Sequence, residues 1–206
     1  MENDMSTLIL DQASQLFEQR GYAAVSMREI CAACGVTKPT LYYYFADKEA
    51  LYVATLLRRL TGFRDTMEPQ TPDESVTARL TRLAALILDQ MHTNVDVMMR
   101  DMENITNPAH NQTLGSAFER ELYGPVLGAM ASGIARGELR PGDPALYTKT
   151  YLGLLNAFVV EPAREGGGPP AVEWVSLPTA PGPRAALVMD LLFHGIGSRS
   201  SLEASS

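Results

Sequence analysis

The stretch SMREICAACGVTKPTLYYYFADKE, residues 26–49, constrains the fold more than any other part of the chain. Ser26 followed by Glu29 is a capping box. The Ser26 hydroxyl can accept from the Glu29 N–H, and the Glu29 carboxylate from the Ser26 N–H. The spacing predicts a short helix to about Cys34, with Ile30 and Ala33 facing inward. Gly35 suits the left-handed residue that ends a helix. Val36 is the apolar plug of a tight turn. Thr37 can cap the next helix, whose first turn tolerates Pro39 because no N–H is needed there. At about 100° per residue, Leu41 and Phe45 share one side. Pro39, Thr40 and Tyr43 lie opposite, flanked by Tyr42 and Tyr44. Three successive tyrosines on a short solvated helix are hard to explain as core. Asp47 caps a further helix beginning at Lys48. Two short helices around a tight turn form the layout by which a helix-turn-helix unit enters the DNA major groove.

The same residues carry a resemblance. Ala13, Phe17, Gly21, Tyr22, Ser26, Ile30, Ala33, Gly35, Val36, Thr37, Pro39, Leu41, Tyr42, Tyr44, Phe45, Lys48 and Leu51 resemble the DNA-binding domain of the TetR family of bacterial transcriptional repressors. The resemblance covers roughly residues 6–52. By side-chain type, Thr37, Lys38, Thr40, Tyr42, Tyr43 and Lys48 suit phosphate and base-edge contact. The resemblance adds Ser26, Arg28 and Pro39 to that face. It implies that Arg28 and Lys38 reach bases, and that Tyr42 and Lys48 clamp phosphates. It further implies an all-α protein: a three-helix DNA-binding domain over residues 1–50, then a larger effector-binding and dimerisation domain over 51–197. The tail 198–206 is expected to be disordered. The expected partners are a double-stranded, pseudo-palindromic operator, a small-molecule effector and a second copy of the chain.

Composition agrees with a helical regulator. Of 206 residues, 46% are hydrophobic, enough for a core. No apolar run is long enough to span a membrane. The start, MENDMSTLIL, lacks a signal-peptide layout, so the expected location is the cytoplasm. The net charge of −7 looks wrong for a DNA binder, but its distribution matters more. Up to residue 64, Arg20, Arg28, Lys38, Lys48, Arg58, Arg59 and Arg64 balance Glu2, Asp4, Asp11, Glu18, Glu29, Asp47 and Glu49. The whole excess of negative charge lies beyond. A neutral DNA-binding unit predicts a modest salt dependence and binding only as a dimer.

The remaining pattern predicts helices at about Ser6–Arg20, Asp47–Met67, Pro72–Thr93, Val95–Ile105, Ala109–Arg136, Asp143–Arg164 and Arg184–Ile196. Gly124-Pro125 should kink the fifth of these. Residues 166–183, rich in Gly and Pro, read as a long loop.

Cys31 and Cys34 share a helix face, which admits a metal or redox switch or two small core residues. Two cysteines with His92, His110 and His194 far away in sequence make a poor metal site, and no metal or cofactor is expected. Met91, Met98, Met99, Met102 and Met130 suggest a pliable apolar pocket. The resemblance places a pocket among the middle helices, with Phe63, Met67, Leu83, Ile87, Met91, Met102, Phe118, Leu122 and Leu152 as walls. His92, Asn94, Asn104 and Asn156 are candidate polar fixings. Trp174 could lid the pocket or pin the loop. Few charges fall on these faces, so a neutral, apolar or aromatic effector is expected. The resemblance implies a homodimer built on the last two helices, and the apolar Leu187, Val188, Leu191 and Leu192 of the last helix support that interface. The motifs of common hydrolases and nucleotide-binding enzymes are missing, so no catalysis is expected. Two rivals remain: a sensor acting through Cys31 and Cys34, and a helical dimer acting through protein partners with a lapsed DNA head.

Overall fold

The structure is a computed structural model that describes residues 2–90, 104–159, 178 and 180–195. Among these residues all regular structure is helical. The order is α1 (Glu2–Arg20), α2 (Met27–Cys34), α3 (Lys38–Tyr44), α4 (Lys48–Leu60), α5 (Phe63–Met67), α6 (Val76–Gln90), α7 (Pro108–Phe118), a π-helical turn (Glu119–Tyr123), α8 (Gly124–Ala135), α9 (Pro144–Ala157) and α10 (Pro181–His194).

The chain forms two packed units. The first joins the N-terminal helices up to Gly62 with the described residues 104–122. Its core is Ile9, Ala13, Phe17, Val25, Ile30, Leu41, Leu51, Tyr52, Val53 and Leu56, extended by Ile105 and Leu114. Phe17 meets Tyr52 edge-on at 5.0 Å. Ion pairs Arg58–Asp11 and Arg59–Glu18 clip α4 to α1.

In the second unit α6 is packed against α5, α8 and α10. Leu80, Leu83, Ala84 and Leu88 of α6 are buried, with Val126, Met130, Tyr151, Leu155, Ala185 and Val188. Tyr151 donates its hydroxyl to Leu80 O at 2.6 Å, which satisfies the one polar atom of a fully buried ring. Arg184 is 6% exposed and donates to Phe158 O at 3.3 Å and Leu88 O at 3.1 Å. Both acceptors lie at helix C-termini, where carbonyls lack helical partners and a cation is favoured.

Several boundaries differ from the sequence reading. α1 begins at Glu2 rather than Ser6. The helix from Lys48 stops at Leu60, and a separate short α5 follows. The cause is local: Thr61 is extended, and Gly62 takes φ +91°, which only glycine adopts cheaply. α6 starts at Val76, because the Ser75 hydroxyl caps it by accepting from Ala78 N at 3.1 Å. The expected kink at Gly124-Pro125 is a π-helical turn just before the proline. Pro125 has no N–H to offer Glu121, and its ring crowds that carbonyl, so the preceding turn widens. α9 ends at Ala157, well before Arg164, with Phe158 leaving helical geometry. α10 begins at Pro181, so the last residues of the expected loop form its first turn. Most of the expected helix 95–105, most of the loop and the tail lie outside the described residues.

Candidate nucleic-acid interface

The capping box of α2 is fully formed. Glu29 Oε2 accepts the Ser26 N–H at 2.8 Å and the Ser26 hydroxyl at 2.6 Å. The same hydroxyl accepts the Glu29 N–H at 3.3 Å. Arg20 reaches across from α1 and pairs with Glu29 Oε1 at 2.7 Å. Hydrogen bonds from the Ser26 side chain, Arg20 and the Ser26 N–H hold the Glu29 carboxyl down at about 2. Gly35 stops the helix at φ +65°, and Val36 donates back to Cys31 O at 3.0 Å. Thr37 then caps α3, its hydroxyl accepting from Thr40 N at 3.4 Å. Asp47 caps α4, accepting from Ala50 N at 2.7 Å. Each of the three helices therefore starts on its own side-chain cap, and α2 stops at a glycine.

Ile30 and Leu41 anchor α2 and α3, both wholly buried. The opposite face of α3 is open. Tyr43 is 71% exposed and Tyr42 44%. Tyr44 is half-buried and turns its ring edge-on to Tyr43 at 5.1 Å. Ser26, Arg28, Thr37, Lys38 and Pro39 are exposed, and Thr40 is half-buried. Arg28 and Lys38 form no ion pair among the described residues. Lys48 sits with its ammonium 4.2 Å from the Tyr22 ring centroid. Arg28, Lys38 and Lys48, the phenols of Tyr42 and Tyr43, and the hydroxyls of Ser26, Thr37 and Thr40 thus lie on one short, capped stretch. That is the chemistry of phosphate and base-edge contact.

Cys31 and Cys34 are half-buried against the head core, and burial pushes the Cys34 thiol up. No cluster of three metal-ligating side chains occurs among the described residues. None of the described helices is long and apolar enough to cross a membrane.

The residues expected to wall a ligand pocket are divided between the two units. In the second, Phe63, Met67, Leu83 and Ile87 are buried, and Leu152 and Asn156 half-buried. In the first, Leu122 is buried, but Phe118 is 39% exposed. A cleft of about 660 Å³ lies within the first unit, between α4 and α7. Leu57, Arg58, Thr61, Gln112, Ser116 and Arg120 line it with their neighbours; none of the expected wall residues does. Asn104 is exposed. Met91, His92, Asn94, Met98, Met99, Met102 and Trp174 lie outside the described residues. On α10, Val188 is wholly buried within its own unit, while Leu187, Leu191 and Leu192 are half-buried.

Sequence reasoning missed Glu49 as more than a surface charge. Its carboxylate accepts the Thr106 N–H at 3.1 Å and the Thr106 hydroxyl at 3.0 Å. It also accepts the Asn107 N–H at 3.0 Å, and His110 Nδ1 lies 2.8 Å away. Burial alone would raise this carboxyl; the bonds from His110, Thr106 and Asn107 outweigh it and bring it to about 2. The sequence shows only an acidic residue at the start of α4, because every partner lies far along the chain.

Comparison with known proteins gives the same class. The family model described as bacterial regulatory proteins, tetR family, matches residues 9–55. The HTH-type transcriptional repressor ComR of Escherichia coli strain K12 is 39% identical over 170 residues, covering 76% of this chain and 78% of that protein. Two solved structures share the fold. FadR from Bacillus subtilis, in complex with stearoyl-CoA, superposes with a TM-score of 0.69 at 20% identity, over 93% of this chain and 99% of that one. AibR, in complex with isovaleryl coenzyme A and operator DNA, gives a TM-score of 0.63 at 20% identity, over 92% and 98%. The chain belongs to the TetR family of bacterial helix-turn-helix transcriptional regulators; the relatives it matches are transcriptional regulators, not enzymes.

Proposed function

We propose that this protein is a dimeric, ligand-released repressor acting on DNA in the cytoplasm. One observation carries the reading: the capped pair α2 and α3 presents Arg28, Lys38, Tyr42 and Tyr43 outward, while Ile30 and Leu41 are spent on the core. In this account Arg28 and Lys38 read base edges, and Tyr42 and Lys48 hold phosphates. Thr37, Thr40 and Tyr43 complete the contact, and two copies engage a pseudo-palindromic site. Leu187, Leu191 and Leu192, half-buried on α10, supply the dimer contact.

The effector has an apolar or aromatic body. The buried, uncharged side chains of Phe63, Met67, Leu83 and Ile87 support it, as do the apolar acyl groups of the ligands held by FadR and AibR, whose anionic coenzyme A moieties depart from the neutral effector expected from the sequence. Ligand binding moves α4, and with it the head. A coupling of about 1–3 kcal/mol would give roughly 5–150-fold loss of operator affinity.

The test is fluorescence anisotropy on a duplex selected from random sequence, with isovaleryl-CoA and stearoyl-CoA as first probes. The account expects tight, specific binding that a fitting probe weakens. Affinity for the selected duplex no greater than for random DNA would end it.

A further inference from the structure

We propose that Glu49 is a positioning residue that fixes the angle of the DNA-binding head on α7 and so sets the half-site separation the protein accepts. The inference rests on the reading of the chain as a dimeric operator binder.

The head meets α7 through two kinds of contact. Ile105 and Leu114 enter the head core alongside Leu51 and Leu56. Apolar contact of this kind holds two elements together but is non-directional, so it permits pivoting. Glu49 is different. It stands in the first turn of α4, two residues after the Asp47 cap and next to Lys48. Its carboxylate gathers two backbone N–H groups, one hydroxyl and one imidazole, all from residues 106–110. Four convergent hydrogen bonds from one turn define a direction as well as a distance.

The turn they come from is itself held. Asn107 caps α7 by accepting from Ala109 N at 3.0 Å, and Asn111 donates to Ile105 O at 3.2 Å. A carboxylate at the start of α7 also meets the positive end of that helix. Glu49 thus joins the start of α4, where the head ends, to the start of α7. That helix leads through the π-helical turn into α8. Without the tie, the head keeps its fold and its contact surface but can rock. A rocking head accepts half-sites at more than one separation. It would not change which bases are read.

The experiment uses full-length protein and an operator selected by the wild type from random duplexes. Its half-sites are then moved by one and two base pairs in each direction. Wild-type affinity should fall at least about tenfold on a two-base-pair shift, since symmetric dimers demand matched spacing. Glu49→Gln should lose less than about threefold over the same series, with its preferred bases unchanged. In parallel, amide exchange at Thr106 and Asn107 should quicken about tenfold or more, while α2 and α3 amides keep their protection. If Glu49→Gln proves unfolded, Thr106→Val combined with His110→Phe removes two of the four contacts from the other side and should relax spacing partway. A variant whose Thr106 and Asn107 amides exchange faster but whose spacing profile matches wild type overturns the proposal. So does unchanged exchange at those amides. If the wild type selects no sequence at all, the operator reading fails and the proposal with it, which is a distinct result.

Discussion

Glu29 and Glu49 each hold their carboxyl near 2, below the ordinary 4.5, through bonds that exist only in the folded chain. Their contribution to stability is therefore full above about 4.5 and is lost as pH falls from there towards 2. Urea midpoints at pH 6 and pH 3 should differ, and Glu29→Gln with Glu49→Gln should shrink that difference. Tyr43, 71% exposed, has the opposite profile. Tyr43→Ala should leave the free energy of urea unfolding within about 0.5 kcal/mol of wild type, as surface changes do, while weakening operator binding. At this scale the local half of the site was legible: Ser26 with Glu29, Gly35, Thr37 and Asp47 each act on neighbours within a few residues. Arg20–Glu29 and Glu49–His110 are not legible, since a polar contact between different helices leaves no periodicity. Arg184 was hidden for the same reason, because its acceptors are carbonyls at the ends of two other helices.

The helices of the head follow from patterning because each must bury one narrow stripe, but that of α2 is narrower than the pattern suggests: Ile30 is buried and Ala33, expected to face inward, is exposed. Leu41 is the anchor of α3, wholly buried on a helix only Lys38–Tyr44 long. Leu41→Ala should cost about 2–5 kcal/mol by chemical denaturation, because so short a helix cannot collapse around the cavity. Arg184→Ala should cost about 2–4 kcal/mol, measured the same way. Two charge-assisted bonds at about 1.5–3 kcal/mol each are lost, offset in part by relief of a buried charge. Elements outside the head were placed less well where backbone chemistry overrode pattern. The apolar rows of α4 and α5 read as one helix, yet Gly62 at φ +91° divides them. The sequence marks Pro125 as a kink point, but the accommodation falls in Glu119–Tyr123, one turn ahead, where the missing N–H and the ring clash act. Its place in an apolar stripe marks Val188 as interface. That stripe has two sides, and Val188 is on the inner one, against its own unit.

For the whole molecule, the balance of charge up to residue 64 limits how much affinity the backbone can supply. Specific binding then depends on two heads acting together. Leu187→Glu with Leu191→Glu should yield a monomer by sedimentation and abolish operator binding without unfolding the head. The central claim is that the open face of α2 and α3 reads a defined DNA sequence. Its most direct test is anisotropy on the selected duplex and on random DNA, for the wild type and for Arg28→Ala with Tyr42→Ala. The account predicts tight wild-type binding that random competitor cannot displace, and a variant that keeps its melting temperature while binding both duplexes equally weakly. A variant that retained the wild-type preference for the selected duplex would contradict it.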